Sequence, residues 1–166
     1  MSLSPPLDTI AEARRQWEEH GWSEAAPGMA AVTSVMRAQQ IFQAQVDEVL
    51  KPFDLTFSRY ELLMLLLFSS RGALPLKKAS MRLHVHPTSV TNAVDRLSRA
   101  ALVERLPHPT DGRGTLVSIT EDGRRVALKA TEALNASVFT RPGLGAGQVE
   151  ELVSVIADLR RSAGDL

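Results

Sequence analysis

The 166-residue chain has no cysteine, which excludes disulfides, thiol redox sensing and thiolate metal sites. It has no apolar run near the ~20 residues that cross a bilayer. The longest, LLMLLLF at Leu62–Phe68, reads as a buried helix segment. The first residues, MSLSPPLDTI, lack the basic and apolar regions of a signal peptide, so the expected location is the cytoplasm. No Ser/His/Asp constellation, phosphate-binding glycine loop or dinucleotide fingerprint is visible, which argues against an enzyme and against a cofactor. There is no internal repeat and no low-complexity segment. One domain over residues 1–166 is expected, and 44% apolar residues supply a core for it.

Net charge is also absent, with 19 Lys and Arg against 19 Asp and Glu. Its distribution is uneven. Residues 1–58 carry 4 basic against 8 acidic side chains, residues 71–130 carry 11 against 5, and residues 131–166 carry 3 against 5. A basic middle between acidic flanks fits a local electrostatic footprint for nucleic acid.

That basic segment also carries the most specific pattern. In HPTSVTNAVDRLSRAALVERLPHPTDGRGTLVSITEDGRR, residues 86–125, Pro87 suits the first turn of a helix. Val90, Ala93, Val94 and Leu97 recur at helical spacing on a buried face. Thr88, Ser89, Thr91, Asn92, Arg96 and Arg99 populate the other face. Short hydrogen-bonding groups and cations suit base edges and phosphates in a major groove. VERLPHPTDGRGTLVSIT then predicts a hairpin with Arg113 at its tip. Helix plus basic hairpin outlines a winged helix-turn-helix.

Elsewhere the fold is expected to be mainly α. Asp8 caps a helix over 8–20 with Trp17 on its stripe, and Gly21 ends it. A longer helix over 28–50 carries Val32, Val35, Phe42, Val46 and Val49 in one seam, with Met36 beside it. Thr56 caps a helix to about Ser69, and a short helix follows at 75–83. Thr120 caps a helix to about Phe139, and the last helix, about 146–163, bears Leu152, Ile156 and Leu159. Terminal helices apolar over a wide arc need a partner. Segments 8–50 and 124–163 are therefore expected to dimerise, with Val35, Phe42, Val46, Leu152, Ile156 and Leu159 in the interface. The lobe at 55–120 would bind DNA, two copies lying one turn apart at ~34 Å.

Three segments together resemble the MarR family of bacterial transcription regulators: Leu55–Leu63 (LTFSRYELL), the helix His86–Leu97, and Asp111-Gly112-Arg113 followed by LVSITEDG at 116–123. The resemblance covers about 28–163. It implies a homodimer of winged helix-turn-helix lobes flanked by N- and C-terminal dimerisation helices. It further implies a pseudo-palindromic DNA operator, repression, and release by a small-molecule effector, often an aromatic anion. Two positions depart from the pattern. Ala101 stands where the family usually has Gly, and Gly112 replaces a frequent second wing Arg. The N-terminal helix with Trp17 also resembles the urate-responsive subgroup, whose ligand residues Trp17, Glu61 and Arg105 match, while Ala93 stands where that subgroup has Arg.

Individual roles follow. Arg113 suits the narrow minor groove, and Asp111 either orients the wing or starts the turn. Arg96 and Arg99 either hold phosphate or pair with Asp95 or Glu104. Lys77 and Lys78 open the preceding helix within reach of the DNA backbone. Trp17, Met36, Phe57 and Tyr60 either line an effector pocket, with Glu61 and Arg105, or pack the core. His84, His86 and His108 lack the acidic or thiolate partners zinc would need, and read as caps or surface groups. A constitutive DNA-binding regulator without an effector, or a winged-helix protein-interaction module, remain the alternatives.

Overall fold

A computed structural model describes residues 7–107 and 115–165. They fall into two compact units whose boundary in the chain lies between Glu48 and Val49.

In the first unit, the Asp8 carboxylate accepts the Ile10 and Ala11 N–H groups at 3.0 and 3.1 Å, the cap that starts α1 (Thr9–Glu19). Arg14 pairs with Glu18 at 3.2 Å and Arg15 with Glu12 at 2.6 Å along the helix. Gly21, with φ +83°, turns the chain out of it. Trp22 then meets Trp17 edge to face, 5.3 Å between centroids. Helix α2 (Ala26–Leu50) begins two residues earlier than the sequence pattern implies. Pro27 lies inside the first turn, where no N–H partner is needed. Val32, Val35 and Met36 leave an exposed apolar row on this helix, and Ile41 is exposed on its other side.

The second unit is built around α3 (Phe57–Leu67). Thr56 caps it by accepting the Arg59 N–H at 3.4 Å. Leu62, Leu63 and Leu66 have no exposure at all, as befits a helix apolar around most of its circumference. Helices α4 (Leu76–Leu83), α5 (Pro87–Arg99) and α6 (Glu121–Leu134), with strands β1 (Ala73–Pro75) and β3 (Thr115–Ile119), all pack against α3. Strand β2 (Val103–Pro107) pairs antiparallel with β3, Arg105 opposite Val117. Strand β1 lies on the other side of β3, Leu74 opposite Val117. The expected two-stranded hairpin is thus the outer part of a three-stranded sheet ordered β1-β3-β2. Three residues are too few to show alternation, so β1 left no signal. The helix expected to run to Phe139 instead changes at Asn135 into a wider π-helical turn that buries Val138, and α7 (Ala146–Ser162) follows. Among the described residues, no helix is long and apolar enough to cross a membrane.

Short contacts hold together the end of α5, the start of β2 and the start of α6. Helix α5 ends with the Ala101 N–H on the Ser98 carbonyl at 3.0 Å and the Leu102 N–H on the Leu97 carbonyl at 2.9 Å, a Schellman closure. Ala101 accordingly sits at φ +57°, which explains the glycine usual there. Thr120 then ties the start of α6 back to this corner. Its hydroxyl donates to the Ala101 carbonyl at 2.8 Å and accepts the Gly123 N–H at 3.0 Å. The approach is so close that a Cβ on Gly123 would lie 2.0 Å from the Leu102 carbonyl oxygen.

Left-handed backbone costs an L-residue with a Cβ roughly 1 kcal/mol. Ala101→Gly is therefore expected to stabilise the protein by about 0.5–1 kcal/mol, read as a higher urea midpoint at unchanged m-value.

Candidate nucleic-acid interface

Helices α4 and α5 form the helix-turn-helix. Helix α4 closes at His84, whose φ of +51° reverses the chain. The buried Ser80 hydroxyl donates to the Val85 carbonyl at 2.7 Å, and the Val85 N–H donates to the Ser80 carbonyl at 3.3 Å. One serine thus clamps the turn from both sides, a role no sequence pattern announced. The His86 ring then caps α5, accepting the Thr88 N–H at 3.3 Å, and Pro87 occupies the first turn.

Helix α5 divides cleanly. Val90, Val94 and Leu97 are buried. Thr88, Ser89, Asn92, Arg96 and Arg99 are exposed, and 88, 92, 96 and 99 fall on one stripe. Thr91 is half-buried, and its hydroxyl is spent on the Pro87 carbonyl at 3.0 Å. Neither Arg96 nor Arg99 pairs with a carboxylate among the described residues. Asp95 is instead held by Arg105 of β2 at 2.6 Å. That contact ties the base of the hairpin to α5 and neutralises a carboxylate that would otherwise repel phosphate. Lys77 and Lys78 are exposed in the first turn of α4. Asp111, Arg113 and His108 lie outside the described residues.

The six residues expected around an effector are divided between the two units. Trp17 and Met36 belong to the first unit, with Trp17 against Trp22 and Met36 65% exposed. In the second unit, Phe57 stacks on Tyr60 at 6.1 Å. Tyr60 is a buried core residue whose hydroxyl meets Thr131 of α6 at 2.9 Å. Arg105 is engaged with Asp95. Glu61 faces a small recess beside α5. Although its side chain keeps solvent access, its apolar surroundings desolvate the carboxyl and push its pKa up. Of the expected interface residues, Val46 is already buried in the protomer, whereas Val35, Leu152 and Leu159 are exposed and Phe42 and Ile156 half-buried. Among the described residues, no group of three His, Asp or Glu converges on a metal-sized site. His84 lies 3.4 Å from Asp165.

Comparison with known proteins gives this geometry a family. The MarR family model matches residues 55–115, the helix-turn-helix and the start of the wing. The chain is 37% identical over 122 residues to YhbI of Bacillus subtilis, an HTH-type transcriptional regulator, covering 73% of each chain. It is 51% identical to the solved structure of Sco5413, a MarR family transcriptional regulator from Streptomyces coelicolor. That match has a TM-score of 0.77 and covers 84% of this chain and 97% of the other. The chain belongs to the MarR family. This MarR protein is thus a transcriptional regulator rather than an enzyme. It also shares its fold with Sco3205 of the same organism, a MarR family regulator solved in complex with DNA. There the identity is 23% and the TM-score 0.69, over 80% of this chain and 84% of that one.

The desolvated carboxyl of Glu61 generates a pH signature. A folded-state pKa raised above the unfolded value of 4.5 costs stability at high pH, and the cost disappears as pH falls through the raised pKa towards 4.5. Glu61→Gln should therefore melt at or above the parent temperature at pH 8 and lose that advantage near pH 4.5. A constant difference across the range would remove the desolvation argument.

Proposed function

We propose that this MarR protein is a homodimeric repressor that binds a pseudo-palindromic operator through α5 and the wing and releases it when a small molecule binds. The observation that carries the reading is the stripe of Thr88, Asn92, Arg96 and Arg99 on α5, with Ser89 beside it, exposed on a helix whose opposite face buries Val90, Val94 and Leu97. Small hydroxyl and amide groups at the front of that helix serve for base contacts. Arg96, Arg99, Lys77 and Lys78 serve for phosphates. Arg113, with Asp111 two positions before it, is assigned to the minor groove from the sequence pattern alone, since both lie outside the described residues. Repression and effector release follow the family resemblance, and the DNA complex of Sco3205, which shares the fold, supports the choice of partner.

Dimerisation is supported by the apolar rows left exposed on each terminal helix. On α2 these include Val32, Val35 and Met36, and on α7 they include Leu152, Val153 and Leu159, each 40–65% exposed. Rows of this kind on a single chain mark interaction surfaces.

A gel-shift titration on DNA from upstream of the protein's own gene tests the assignment. Binding should weaken steeply with salt, as counterion release requires, and absence of affinity at low salt would overturn the reading. Arg96→Ala should weaken binding across sequences and reduce the salt slope by about 1. Ile156→Asp should halve the mass seen by light scattering, because dimerisation would bury an unpaired charge. A retained dimer would remove α7 from the interface.

A further inference from the structure

A recess of about 50 Å³ lies between α3, the α4–α5 turn and α5. Leu62, Leu83, Val85 and Val90 make an apolar wall, and the polar groups are Ser58, Glu61 and Ser89. The Glu61 carboxylate is the one charge among these lining residues, and it is already partly stripped of water. An anion entering here would meet like charge. It would also find no free backbone N–H in the first turn of α5 to offset that repulsion. The Thr88 N–H is used by the His86 ring, and the Ser89 and Val90 N–H groups donate to the His86 carbonyl at 2.9 and 3.3 Å. The recess is also too small to enclose an aromatic ring, since a closed cavity that holds benzene measures about 150 Å³.

What fits is the complement: a compact cation with up to three donors and a short apolar tail. We infer that the recess receives the head of a small primary alkylamine in its ammonium form, with its charge on Glu61, the Ser58 and Ser89 hydroxyls as further acceptors, and its first carbons against the leucine–valine wall. Three N–H donors meet three acceptors, and a charge-assisted bond to a partly desolvated carboxylate is stronger than one in open water. The inference deepens the effector-release reading and rests on it, replacing the aromatic anion with a cation at this recess. The route to DNA is short. Val85 belongs to the turn that orients α5, and Ser89 stands on the front of α5 itself, so an occupant contacts the reading helix directly.

The test uses the full chain without DNA. Its melting temperature is followed while n-propylammonium chloride, sodium propionate or 1-propanol is added at matched ionic strength. The expected result is a saturable rise with propylammonium, none with propionate, and roughly tenfold weaker action by propanol. Glu61→Gln should weaken the amine response about tenfold. Ala93→Leu, which adds bulk to a lining position, should abolish the response. Equal shifts from amine and propionate, no saturable shift, or a full response in both variants would overturn the site. Because these melts contain no DNA, they stand whether or not the operator reading does. The amine is then added to an operator complex. Release upholds the effector role, and an intact complex with the amine bound overturns that role while keeping the recess as an amine site.

Discussion

The second unit depends on the burial of α3. Three leucines of this helix have no solvent exposure, and Tyr60 reaches α6 through its hydroxyl. Fully burying a leucine contributes about 2–3 kcal/mol, comparable in sum to much of the net stability of a small domain. The sheet, α4, α5 and α6 are the surfaces that provide this burial. The reading face of α5 is therefore whatever remains once Val90, Val94 and Leu97 have turned towards the core. The core selects which side of the helix is presented.

Polar contacts then refine what burial leaves approximate. Ser80 fixes the α4–α5 turn, the Schellman closure at Ala101 fixes the exit from α5, and Thr120 with Gly123 fixes the entry to α6. The pair between Asp95 and Arg105 is exposed and contributes little stability. Its value is in position and charge: it links the hairpin base to the reading helix and silences a carboxylate. An effector that contacts the turn and the front of α5 would act on this same set of constraints.

Helices were legible because each has a strong local signal. Asp8, Thr56 and Thr120 cap where their sequence positions imply, and the alternating burial of α5 follows directly from its 3.6-residue period. Strand β1 was not legible, because three residues carry no period and its pairing with β3 joins segments more than forty positions apart. Arg105 shows the same limit at the site. Its partner Asp95, ten positions away in sequence and on a different element, is brought to it by strand pairing, which no local pattern announced. Tyr60 and Phe57, read as either pocket or core, were decided by packing against each other and α6.

The sequence by itself determined the family, the order of the helices, the reading face of α5 and the concentration of positive charge in the middle third. These are properties of composition, period and local capping, which act between neighbours in the chain. Only tertiary structure decided which cations are spent internally and which remain for a partner, that Ser80 holds the turn, and that Glu61 faces an apolar recess with two hydroxyls. Those outcomes depend on which distant side chains meet and on how much water each meeting excludes, and no local pattern encodes either.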